Sequence, residues 1–161
     1  MTPIEIEMIR KTVSWEGGAK LSLDPRDPGN WTGGKRNAGA LKGTKFGISA
    51  KAYPHLNIAA LTEDQADSIY DRDYFQRIGA GDFNHGVAMI AFDIAVNMGI
   101  GRILPWLAHS EHLTPIERIK FLDIRRRGYW RALPIFMVYG RGWFRREDDI
   151  YAFSLSLTSV R

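Results

Sequence analysis

From Val87 to Met98 the chain reads VAMIAFDIAVNM, apolar around the whole helical projection and broken only by Asp93 and Asn97. A helix without a polar face must be enclosed by protein on every side. The remaining segments therefore have to wrap around it, with Gly99 as its stop. That demand excludes a disordered or fibrous chain. The 161 residues, 45% of them hydrophobic, are enough for one sizeable core, and a single domain spanning 1–161 is expected. No apolar run approaches the ~18 residues of a membrane span. Cysteine is absent, which removes disulfides, a thiolate nucleophile and Cys-ligated zinc.

Three further helices announce their starts. Thr2-Pro3-Ile4-Glu5, Thr62-Glu63-Asp64-Gln65 and Thr114-Pro115-Ile116-Glu117 each have the spacing of a capping box. The first is expected to run through Trp15, with Glu16 on its last turn before Gly17-Gly18. The third should reach about Trp130, and a last helix should cover Arg145 to Leu157. Residues 19–50 differ in kind. Asp24-Pro25-Arg26-Asp27-Pro28-Gly29-Asn30 is turn chemistry, and Thr44 to Ser49 alternates like a strand. The expected architecture is mainly α (α+β), with a small β-hairpin lobe at about 19–50.

Charge is uneven. Residues 1–101 hold 11 Lys/Arg against 12 Asp/Glu, whereas residues 102–161 hold 11 against 6. A basic half suits an anionic partner: nucleic acid, acidic lipid or a cell-wall polymer. Arg125, Arg126, Arg127, Arg141, Arg145 and Arg146 lie among Tyr129, Trp130, Trp143 and Phe144 and would form that surface.

Glu16 is the leading candidate for chemistry. A carboxyl at a helix C-terminus faces the negative end of the macrodipole, and Trp15 beside it reduces solvation. Both conditions help a carboxyl keep a proton and then donate it. Asp24 and Asp27 follow on a Pro/Gly-fixed loop, and Thr44 opens the strand. A proton donor, an ionised carboxylate and a hydroxyl that holds water are the parts of an inverting glycosidase. One aspartate would cap the loop's backbone while the other faces the cleft, with Asp27 slightly favoured as the partner of Glu16. Asp93 and Asn97, spaced i, i+4, would tie the central helix to this loop. His55, His85, His109 and His112 form no metal-ligating set, so neither metal nor cofactor is expected.

Glu16-Gly17-Gly18, Asp24-Pro25-Arg26-Asp27-Pro28-Gly29 and Thr44-Lys45-Phe46-Gly47-Ile48-Ser49 together resemble the signature of glycoside hydrolase family 108. Those are N-acetylmuramidases, many of them phage endolysins. The likeness continues through Leu61-Thr62, Gln65-Ala66, Ile69-Tyr70, Asp73-Tyr74 and Phe92-Asp93 to Asn97 and Gly99. The segment around Arg127, Tyr129, Pro134, Phe136, Gly142-Trp143 and Arg146 is similar to the peptidoglycan-binding segment that follows in that family. The likeness covers about residues 4–155. Two departures stand out: Ala19 replaces the family's aromatic, and Asn30–Gly43 lengthens the loop.

The resemblance implies a lysozyme-like fold and cleavage of the MurNAc-β-1,4-GlcNAc bond. Glu16 would be the general acid, with Asp27 or Asp24 and Thr44 assisting. Trp31, Phe46, Asn97 and Tyr74 are the expected substrate contacts. Residues 1–100 would form the catalytic part and 101–161 the wall-binding helices. The implied partner is bacterial peptidoglycan, with anionic wall or outer-membrane polymers on the basic half and no nucleic acid. A monomer is expected, made in the host cytoplasm without a signal peptide and released by a holin-type pore. Two rivals remain: a lytic transglycosylase using Glu16 as acid and then base, and a non-catalytic basic binding module.

Overall fold

Thr2 and Glu5 exchange the two bonds of a capping box, Thr2 N to Glu5 Oε2 at 2.6 Å and Glu5 N to Thr2 Oγ1 at 3.3 Å. They open α1 (Pro3–Val13) in the computed structural model, which describes residues 1–159. The other elements are β1 (Thr44–Lys45), β2 (Ile48–Ser49), α2 (Glu63–Tyr70), α3 (His85–Met98), α4 (Ile100–His109), α5 (Pro115–Arg131) and α6 (Phe136–Ser156). Short 3₁₀ turns and one π-helical turn, Asp71–Phe75, connect them. Two compact units result, one formed by Met1–Met8 with the chain from Tyr70 onward, the other by Ile9–Ile69. Among the described residues no helix is long and apolar enough to cross a membrane.

The first unit is built around α3, which packs against α4, α5 and α6. Every residue from Gly86 to Ala95 is buried, as the apolar run requires. Asn84 caps the helix, its Oδ1 accepting from the Gly86 amide at 3.0 Å. Gly86 has no room for a side chain, because the Ser154 carbonyl of α6 lies against it.

Asp93 is the polar exception inside this core. Its Oδ2 accepts from Arg126 of α5 at 2.5 Å and its Oδ1 from Arg146 of α6 at 2.8 Å. Asp93 and Arg126 are wholly enclosed and Arg146 nearly so. Asp93 therefore ties α3 to α5 and α6, rather than to the catalytic loop as the sequence suggested. Asn97, one turn on, is exposed. Arg126 also pairs with buried Glu147. Burial would push the Asp93 carboxyl up, but the two guanidinium charges outweigh it and hold the carboxyl below its ordinary value.

Glu147 goes the other way. Burial pushes its carboxyl up to about 8, against the pull of Arg126 and with a push from Asp123. The folded protein thus keeps a proton that the unfolded chain releases above its reference value of 4.5. Stability should fall as pH rises from about 4.5 through about 8, because the unfolded state binds fewer protons across that window. Urea titrations at the two ends of the window check this. Glu147→Gln should flatten the dependence, and an unchanged slope in that variant would contradict the assignment.

The C-terminal helices differ from expectation in two ways. α6 begins at Phe136, nine residues before Arg145, because Gly140 and Gly142 do not interrupt it. The Phe136 ring lies over Gly140, one turn along, so a glycine that reads as punctuation is a packing site. α4 is a separate helix with Pro105 inside it. The arginine cluster is also divided. Arg126 and Arg146 are buried, and Arg127 bridges Asp123 and Asp148 at 2.7 Å each.

In the second unit, Arg10 of α1 pairs with Asp67 at 2.9 Å, Asp64 at 3.1 Å and Glu63 at 3.4 Å on α2. Burial raises the Asp67 carboxyl above its usual range despite Arg10. The Thr62–Gln65 capping box forms as read. The 44–49 run is not one strand but a complete hairpin. β1 and β2 are antiparallel, with Thr44 opposite Ser49 and Lys45 opposite Ile48. Phe46 and Gly47 make the two-residue turn with φ of 53° and 75°. Positive φ at both central positions is the turn that matches strand twist.

Candidate active site

α1 ends at Val13, three residues short of Glu16, and the chain winds on in tighter turns. Trp15 N donates to Thr12 O at 3.0 Å and Glu16 N to Val13 O at 2.9 Å. Gly17 and Gly18 then take φ of 96° and 62°, a reversal that side chains resist. Glu16 thus sits half-exposed at a bend rather than on the helix itself. Across from it, the Phe46 amide donates to Gly18 O at 2.8 Å. That bond fastens the hairpin turn to the Glu-Gly-Gly bend. Phe46 itself is a buried aromatic held in the left-handed region, a conformation that costs about 1–3 kcal/mol and persists only where surroundings impose it.

Between bend and hairpin lies an open cleft of about 280 Å³. Glu16, Gly17, Gly18, Lys20, Ser22, Thr44, Lys45, Phe46 and Gly47 line it. Glu16 is the acidic group in this lining, and Lys20 and Lys45 are the basic ones. Ser22 joins the wall through a two-way backbone bridge to Thr44, at 2.8 and 3.0 Å. The structure therefore brings Glu16, Thr44 and Phe46 to one cleft.

The aspartates lie on the adjoining turn, each engaged locally. Asp24 Oδ1 accepts from the Arg26 amide at 2.9 Å, and both its oxygens face the Arg26 guanidinium. Bonding to Arg26 holds the Asp24 carboxyl down to about 2. Asp27 is exposed and caps the Pro28–Asn30 turn, with Oδ1 accepting from Gly29 N at 2.8 Å. Both residues are backbone caps, where the sequence suggested one. Trp31 donates its indole N–H to Pro25 O at 3.0 Å, and its backbone bridges Leu41. The 30–43 segment is thus a laced loop. Tyr74 and Asn97 belong to the other unit. Tyr74 lies on the π-helical turn with its ring 5.8 Å from Tyr70, and Asn97 is on the last turn of α3.

Asn30 is the residue that sequence reasoning passed over. It is fully buried, its Nδ2 donates to Asp24 O at 3.0 Å, and its Oδ1 accepts from Thr44 Oγ1 at 2.7 Å. The first bond fixes which end of the amide faces Thr44. The Thr44 hydroxyl proton is thereby committed to Asn30, leaving the oxygen as an acceptor for water. An Asn closing a D-P-x-D-P-G turn was the available signal. Asn30→Ala should destabilise by about 1–3 kcal/mol, since it strands two polar groups. It should also lower kcat by about 10–100-fold through misplacement of Thr44. Urea unfolding and initial rates check the two effects, and unchanged values in both would remove Asn30 from the site. Among the described residues no group of three or more His, Asp or Glu could hold a metal ion.

Comparison with known proteins meets this geometry from outside. The structure of Brucella abortus SagA matches with a TM-score of 0.74 and 22% identity, over 96% of this chain and 95% of that one. The likeness bears on the fold, which in this chain is mainly α and lysozyme-like with a small two-stranded sheet. No curated protein matches the sequence. The family described as Glycosyl hydrolase 108 matches residues 9–99, more than half the chain, including the whole Glu16–Thr44 cleft. The chain belongs to glycosyl hydrolase family 108, and with that family comes peptidoglycan as its substrate class.

Proposed function

We propose that this protein is an N-acetylmuramidase that hydrolyses the MurNAc-β-1,4-GlcNAc bond with Glu16 as general acid. The observation that carries the reading is the cleft itself. One carboxyl, Glu16, and one oriented hydroxyl, Thr44, share a lining that the Phe46–Gly18 bond holds together. Glu16 donates its proton to the glycosidic oxygen as that bond breaks. Positive charge then develops on the muramic ring, and a water adds to its anomeric carbon.

Asp27 is the better carboxylate for that second half. Arg26 occupies both oxygens of Asp24, whereas Asp27 commits one oxygen to Gly29 and is exposed. Thr44, with its proton on Asn30, accepts from the attacking water and aligns it. An inverting course calls for a carboxyl separation of about 6.5–9.5 Å with substrate bound. Phe46 supplies an apolar floor, and Trp31, in the same unit, is the further substrate contact proposed. On this reading the enzyme is an endolysin acting in bacterial lysis, and the helices after Gly99 help hold the wall.

Borohydride reduction of the soluble products from purified peptidoglycan tests the bond assignment. Muramitol at the reduced ends is the expected result. Glucosaminitol would mean cleavage of the alternate bond and would overturn the proposal.

A further inference from the structure

The connection from α5 into α6 carries an apolar tip that the catalytic reading does not use. Ile135, Met137, Val138 and Tyr139 are 51%, 90%, 73% and 56% exposed. Isolated exposed apolar residues are ordinary, but four within five positions are not. Behind them stands an aromatic stack. Tyr139 lies on Trp143 at 6.1 Å between centroids, Phe136 contacts Phe144 at 5.3 Å, and the Arg131 guanidinium lies 5.0 Å from the Phe144 ring.

The charge around this tip has one sign. From Ile124 to Arg146 the chain contains seven arginines and no acidic residue. Arg126, Arg127 and Arg146 are engaged with carboxylates, whereas Arg131, Arg141 and Arg145 are exposed on either side of the tip. Aliphatic side chains that project fully, aromatics just behind them and cations flanking both suit the layers of a lipid surface. Acyl chains take the first, the headgroup boundary the second, and lipid phosphates the third. A second copy of the chain fits poorly, since pairing the tips would bring the exposed Arg131, Arg141 and Arg145 of each copy together.

We infer that the 135–139 tip with Arg131, Arg141 and Arg145 is a docking surface for an anionic phospholipid bilayer. The inference is independent of which glycosidic bond the cleft cuts. It gives the enzyme a resting place on the membrane that borders its polymer.

The full-length protein is sedimented with vesicles of equal parts phosphatidylglycerol and phosphatidylethanolamine, and in parallel with phosphatidylcholine alone. Binding to the anionic vesicles only is expected. Met137→Asp with Val138→Asp should reduce it at least about tenfold, because carboxylates replace the inserting groups and face anionic lipid. Arg141→Gln with Arg145→Gln should reduce it about fivefold per arginine. All four positions are exposed, so circular dichroism and melting temperature should match the parent. Absence of binding to anionic vesicles, or binding that both variant pairs retain, would overturn the inference. So would a concentration-dependent dimer in analytical ultracentrifugation that Met137→Asp with Val138→Asp abolishes, because the tip would then be an interface between copies.

Discussion

Glu16→Gln is expected to lower kcat on purified peptidoglycan by about 10²–10⁴-fold while leaving KM nearly unchanged. Glutamine keeps the size and most of the polarity of the side chain but has no acidic proton to give. The glycosidic oxygen must then leave as an alkoxide or wait for solvent. Substrate contacts made by the rest of the cleft persist, which is why binding should survive. The fold should survive too. Glu16 is half-exposed at a bend, and backbone bonds of Trp15, Glu16 and Gly18, which glutamine leaves in place, help hold that bend. Its melting curve should therefore overlay the parent within about 0.5 kcal/mol, as for other surface substitutions. A variant that loses activity only because it unfolds would assign Glu16 a structural role instead.

The largest stability effect is expected at Asp93. Asp93→Asn removes a carboxylate that Arg126 and Arg146 share, and Asp93 and Arg126 have no solvent exposure at all. Breaking a buried ion pair by deleting one partner costs about 3–5 kcal/mol, because the remaining charge stays buried and uncompensated. Glu147 beside Arg126 offers little relief, since burial already favours its protonated form. Urea unfolding should show the loss as a lower midpoint with an unchanged slope. A cost under about 1 kcal/mol would mean that the two arginines reach water or other partners on their own.

The same cluster shows where the sequence stops being informative. The apolar run of α3 announces its burial, because every face of the helix says the same thing. Asp93 within it announces only that a partner is required. Those partners lie 33 and 53 residues further on, in an arginine-rich stretch that looks like a solvated basic surface. Periodicity is local information, and an ion pair between three helices is not. α6 shows a second limit. Gly140 marks a break on propensity, but the Phe136 ring fills the space where its side chain would be, and the helix continues.

At the cleft, legibility is again uneven. The capping boxes at Thr2, Thr62 and Thr114 are short-range patterns and form as written. The Thr44–Ser49 run shows strand-like alternation, yet it folds back on itself at Phe46-Gly47. Phenylalanine seldom takes positive φ, so nothing in its identity marks a turn. The reason lies across the cleft, where the Phe46 amide binds Gly18 O. The exit of α1 is similar. Gly17-Gly18 marks a chain reversal, but the helix itself ends at Val13, and the tighter turns after it carry Glu16 off the helix. Asn30 joins the aspartate turn to Thr44 through two side-chain bonds that only the folded loop brings within reach.

The decisive measurement is mass spectrometry of the soluble fragments released from purified peptidoglycan by the parent protein and by Glu16→Gln side by side. Fragments ending in reducible N-acetylmuramic acid are expected from the parent and almost none from the variant. Fragments ending in 1,6-anhydro-muramic acid, one water lighter, would contradict hydrolysis, and equal release by the variant would contradict Glu16 as the acid.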